Sequence, residues 1–93
     1  MSKKKFASVW DVIEDSPEEA ANMKLRSTLM MALTNHIDRA RLTQAQAAKL
    51  LGVTQPRVSD LMRGKIDLFA IDTLVNMAIA AGLRIDLRIR KAA

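Results

Sequence analysis

The chain contains no cysteine. Disulfides, thiolate metal sites and thiol catalysis are therefore excluded. Histidine occurs once, at His36, too little for an imidazole-based metal site. No apolar run approaches the roughly 20 residues that would span a bilayer. Lys3, Lys4 and Lys5 have no apolar stretch behind them of the kind a signal peptide carries, so the expectation is a cytosolic protein with no membrane partner. There is no nucleophile–base pair and no glycine-rich phosphate loop, which argues against an enzyme and against a bound cofactor. Repeats of 20–50 residues and low-complexity tracts are missing as well.

What is present is a chain of 93 residues, 49% of them hydrophobic, long enough for one small domain. A core of that size is modest, and dimerisation would add to it. The net charge of +5 is unevenly spread. Residues 11–19 hold Asp11, Glu14, Asp15, Glu18 and Glu19 and no base. Residues 39–65 hold Arg39, Arg41, Lys49, Arg57, Arg63 and Lys65 against Asp60 alone. Arg84, Arg88, Arg90 and Lys91 face only Asp86 near the end. A basic middle fits a polyanionic partner or a solvated helix surface, and geometry has to decide between them.

Residues 6–13 are short and apolar without a helical period, as for an extended arm or short strand. Ser16-Pro17-Glu18-Glu19 predicts a helix start, with Glu19 where a capping box places its carboxylate. A long helix should run to Ile37 or Asp38, with Leu25, Leu29, Leu33 and Ile37 on its buried face and Ala32 beside them. Thr43-Gln44-Ala45-Gln46 is a second capping box and opens a helix over 44–51 that Gly52 ends. Thr54 caps a third helix, with Pro56 in its first turn, reaching Met62 or Arg63 before Gly64. A fourth covers about 70–81 and Gly82 stops it. From Leu83 to Arg90 the period changes to two, the pattern of a half-buried strand.

The two short helices are joined by Gly52-Val53-Thr54, the length a helix-turn-helix requires. Ala47 and Leu51 face inward on the first, Ala48 allows close approach, Val53 plugs the turn, and Val58 and Leu61 form the inner face of the second. The outer set is suited to duplex DNA. Gln55 can pair bidentately with adenine, Arg57 or Arg63 can pair with guanine, and Ser59 can reach a base or a phosphate. Gln55, then Arg57 and Ser59, are the candidate base readers, because base contacts come mostly from the N-terminal part of such a helix. Gln44, at a helix start, and Thr54, Arg63 and Lys65 are the candidate phosphate contacts. Asp60 could accept from cytosine or orient Arg57 or Arg63; a carboxylate repels phosphate, so the orienting role is the expected one.

On Leu42-Thr43-Gln44, Gly52-Val53-Thr54-Gln55-Pro56-Arg57-Val58-Ser59-Asp60-Leu61 and Gly64-Lys65, the sequence resembles the XRE family of Cro and phage-repressor type domains. Over Asp67 to Met77, with Gly82 and the basic end, it is similar to the HigA-type antitoxins. The resemblance covers about residues 18–90. It implies a bacterial transcription regulator that represses its own operon and neutralises a messenger-RNA-cleaving toxin. It also implies a backbone contact at Gln44 and base contacts from Gln55 to Ser59. Pro56 stands where many phage repressors have a small polar residue.

A lone strand leaves backbone groups unpaired. Two partners are open: the arm around Val9 to Ile13, or the same strand of a second copy, which would match a two-fold operator. In a self-pair centred on Asp86, Asp86 meets Asp86 and Arg84 meets Arg88. Centres at Leu87 or Ile85 instead bring Asp86 against an arginine, worth roughly 0.2–1 kcal/mol per pair. Leu83, Ile85, Leu87 and Ile89 would form that dimer face.

Among the remaining residues, His36 suits a helix C-terminus, Trp10 is expected to fill core or anchor the arm, and Met23, Met30 and Met31 pack the long helix or form an adaptable protein-binding surface. The acidic run 11–19 suits the helix start, or a basic toxin. The expected architecture is all-α, with four to five helices, a central helix-turn-helix and one C-terminal β-strand. Its parts would be an N-terminal arm over 1–15, partly disordered, the domain over 16–82, and a dimerisation strand and tail over 83–93. The expected function is that of a homodimeric regulator on palindromic DNA. The alternative is an antitoxin or adaptor whose main partner is a toxin protein, with DNA binding secondary.

Overall fold

The computed structural model describes residues 16–92. The expectations for the arm over 1–15, Trp10 included, lie outside the described residues. Four α-helices follow one another: α1 (Pro17–Arg39), α2 (Gln44–Leu51), α3 (Gln55–Met62) and α4 (Ile71–Ala80), with a 3-10 turn over Ile66–Leu68 between the last two. Helix α1 packs chiefly on α4, and α2 on α3. Met30, Leu33 and Ile37 of α1 meet Ala47, Ala48 and Leu51 of α2, Val58 and Leu61 of α3, Phe69, and Leu74, Met77 and Ala78 of α4 in one core.

The helix starts follow from their caps. Thr43 and Gln46 form both arms of the capping box, Thr43 Oγ1 accepting from the Gln46 amide (3.1 Å) and Gln46 Oε1 from the Thr43 amide (2.8 Å). Thr54 accepts from the Arg57 amide at 3.3 Å. Ser16 accepts from the Glu19 amide at 3.1 Å, but its hydroxyl donates to Glu18, so only one arm of the expected box forms among the described residues.

All four helices stop in the same way. Arg41, Gly52, Gly64 and Gly82 have φ of 54°, 71°, 72° and 82°. The amide of the next residue then reaches back five positions: Leu42 to Ile37, Val53 to Ala48, Lys65 to Asp60 and Leu83 to Ala78, at 3.0–3.1 Å. This is the Schellman stop, in which a left-handed residue turns the chain and satisfies the last carbonyls. Glycine adopts that conformation without a Cβ clash, whereas Arg41 does so with one.

One expectation needs correction and another is not shown. The four-residue spacing placed Leu25 on the buried face of α1, yet it is 52% exposed, Leu29 is only half-buried, and Ala32 is exposed. Four residues advance about 400° on a helix, so a strict four-residue series drifts by about 40° per step, and Leu25 is about 120° away from Ile37. The buried stripe is Met30, Leu33 and Ile37, at spacings of three and four. Second, no residue from 83 to 92 is in a strand within the single chain; Leu83 packs against the core, and Leu87 and Ile89 are exposed.

Two outcomes test this account. In urea unfolding, Leu33→Ala should cost about 2–5 kcal/mol, while Leu25→Ala should cost less than about 1 kcal/mol. Arg41→Gly should stabilise by up to about 1 kcal/mol, because relief of about 1–2 kcal/mol of left-handed strain exceeds the extra unfolded-chain entropy of glycine.

Candidate nucleic-acid interface

Helices α2 and α3 are joined at Gly52-Val53-Thr54, and Val53 packs against the core under the turn. With about 100° per residue, the buried side of α3 set by Val58 and Leu61 fixes where every other side chain projects. Pro56 and Arg63 project directly away from the core. Gln55 and Ser59 fall on the side toward α2, Arg57 and Asp60 on the side toward the loop after α3. Burial agrees: Gln55, Pro56 and Arg63 are exposed, while Arg57, Ser59 and Asp60 are half-buried.

The α2 side is a groove of about 460 Å³ lined by Ala45, Gln46, Ala48, Lys49, Val53 and Gln55. Gln44 is exposed at the first position of α2. Its amide and that of Ala45 precede the capped Gln46 amide, so two helix-start donors are left for solvent or an anion. Helix α3 offers fewer, since Pro56 has no N–H and the Arg57 amide is taken by Thr54. The Thr54 hydroxyl is thus already engaged as a cap, whereas Gln44 is unencumbered.

On the opposite side, the Asp60 carboxylate lies 3.8 Å from Lys65 Nζ, rather than beside Arg57 or Arg63. Both side chains are partly exposed, so the pair contributes little to stability and chiefly sets where the lysine points. Lys65 also occupies an unusual place. At the other three helix stops the residue after the left-handed one is Leu42, Val53 or Leu83, each packed on the core. An apolar contact back to the helix is the usual accompaniment of this stop. At α3 a charged pair, Lys65 with Asp60, stands in its place. The lysine is therefore kept at the surface beside the exposed face of α3.

Sequence reasoning missed two residues. The guanidinium carbon of Arg57 sits 4.9 Å from the centre of the Phe69 ring, within cation–π range. Arg26 of α1 donates from Nε to Asn22 (2.8 Å) and from Nη1 to the Ile66 carbonyl (3.2 Å), fixing the 3-10 turn that precedes Phe69. Phe69 is the only Phe, Tyr or Trp after position 10, which is a signal, but its pairing with Arg57 twelve positions earlier is a tertiary contact. Among the described residues no group of His, Asp and Glu could hold a metal ion, and no helix is long and apolar enough to cross a membrane.

The arrangement is an exposed polar helix face flanked by Gln44, Arg63 and Lys65. A family model described as a helix-turn-helix domain matches residues 12–90. A solved structure assigned to the XRE family of transcriptional regulators is similar, with 38% identity and a TM-score of 0.74, over 80% of this chain and 83% of that one. A comparison with curated proteins gave no match. That family and fold are those of a DNA-binding regulator, not of an enzyme. By its fold, by the geometry of α2 and α3 and by both likenesses, the chain belongs to the helix-turn-helix family, of XRE type, and is a DNA-binding transcriptional regulator.

Proposed function

We propose that the protein represses transcription as a homodimer on palindromic DNA, with α3 of each copy in a major groove. The observation that carries this reading is the outer side of α3, where Gln55 and Arg63 are exposed and Ser59 is half-buried on the side toward α2. Gln55 and Ser59 read base edges with Arg57 beside them. Gln44 and Lys65, with Arg63 and the Thr54 cap, meet phosphates, and Asp60 orients Lys65. The two half-sites lie about 34 Å apart, one turn of the duplex.

Pairing of the two copies is assigned to the segment after Leu83, which itself packs against the core. Ile85, Leu87 and Ile89 are exposed at 39%, 77% and 83% and alternate with charged residues, the pattern of a strand whose apolar side awaits a partner. The likeness to HigA-type antitoxins supports a narrower reading, an autorepressing antitoxin with a toxin partner. One observation favours toxin binding as the main role. A groove of about 560 Å³ between α1 and the end of α3 is lined by Met23, Met30, Met31 and Met62, and methionines form adaptable binding surfaces.

Binding is read on a duplex enriched by the wild-type protein from a random-sequence pool and on a mixed-sequence duplex. Gln55→Ala should relax base preference at one position, by about 1–3 kcal/mol. Lys65→Ala should weaken both duplexes alike and lower the salt slope by about one. If neither variant changes affinity, α3 does not carry recognition. Because Leu83 belongs to the core, the dimer test is truncation after Leu83. Sedimentation should then show a folded monomer, and a truncated protein that remains dimeric refutes the strand pairing.

A further inference from the structure

The placement of Arg57 has a cause outside the helix-turn-helix. Its guanidinium lies over Phe69, whose ring is only 1% exposed and is therefore fixed by the core rather than free to follow the arginine. Phe69 in turn follows the 3-10 turn that Arg26 holds through the Ile66 carbonyl. A stacked guanidinium uses its face and leaves its planar edge of N–H donors free. Among the described residues no hydrogen bond or ion pair occupies that edge. The nearest carboxylate along α3, Asp60, is already paired with Lys65.

We infer that Phe69 is a positioning residue for DNA recognition: it holds Arg57 flat against the domain before binding, with the donor edge directed outward beside α3. A free arginine samples many rotamers and loses that freedom on binding. An arginine already stacked loses less, and its planar fork suits the paired acceptors of a guanine edge or of a phosphate. The inference rests on the reading of α3 as the DNA-contacting helix. It adds a group that touches no DNA and acts through Arg57, and it makes the loop over 64–69 part of the reading head.

The test is a double-mutant cycle of Arg57→Met and Phe69→Leu, titrated against the enriched duplex at a temperature where circular dichroism shows all four proteins folded. The methionine keeps an aliphatic cover on the ring and removes the charge. Arg57→Met alone should weaken binding at least about 5-fold. Phe69→Leu alone should weaken it by about 3- to 10-fold, and by less than about 2-fold in the Arg57→Met background. Phe69→Met, nearer in volume, is carried through the same cycle should Phe69→Leu unfold. Equal losses in both backgrounds overturn the inference, because the ring would then act only through the fold. If Arg57→Met leaves binding unchanged, Arg57 lies outside the interface and the inference fails. Gln55→Ala and Lys65→Ala then decide separately whether α3 reads DNA at all. A loss confined to the enriched duplex assigns the arginine to a base edge, and an equal loss on the mixed-sequence duplex assigns it to phosphate.

Discussion

The fold depends on a single backbone event repeated four times, a left-handed residue that stops a helix while the following amide closes onto the carbonyl five residues earlier. Each stop uses carbonyls that would otherwise be orphaned and turns the chain back toward the core. Short helices such as α2 and α3, with eight residues each, are marginal in isolation. Between the caps at Thr43 and Thr54 and the stops at Gly52 and Gly64 they have defined lengths, and Val53 seats the turn between them. The angle at which α3 leaves α2, and hence the face it exposes, follows from those few local choices.

The proposed interface lies where this repeated device departs from its own rule. Three stops are completed by an apolar residue against the core, and the fourth by Lys65 with Asp60. That exchange keeps a cation at the surface at the end of α3, while the Lys65 amide still ties the start of the loop over 64–69 to the Asp60 carbonyl. Arg26 then fixes the loop from α1, and the loop delivers Phe69 beneath Arg57. Stability and recognition are thus divided along the chain, with apolar closures around the core and one polar closure beside the exposed helix.

Most of this was legible in the sequence, because caps and glycines are local. Thr43, Gly52, Thr54, Gly64 and Gly82 mark α2, α3 and the end of α4 to within a residue or two, and Val58 and Leu61 identify the inner face of α3. The stop at Arg41 was not legible, since nothing in an arginine announces a left-handed backbone; the tertiary seat of Leu42 imposes it. Leu25 misled because a four-residue period resembles a helical stripe over two turns and diverges over four. At the site, Gln55 and Arg63 were placed by periodicity alone. The partner of Asp60 and the stack of Arg57 on Phe69 join different segments, and no spacing rule reports such contacts.

Leu83 is the last residue anchored to the core, so it serves as the fixed end of a ruler. In an antiparallel self-pair each step of the centre along the strand moves both anchors. A centre at Ile85 separates the two Leu83 positions by about 14 Å along the strands, and a centre at Leu87 by about 27 Å. The difference equals about four base-pair steps at 3.4 Å each. Were two copies to pair through this segment as proposed, the pairing register would set how far apart the two domains stand, and four base-pair steps turn the duplex by about 140°, so only a register that keeps both α3 helices facing major grooves would serve.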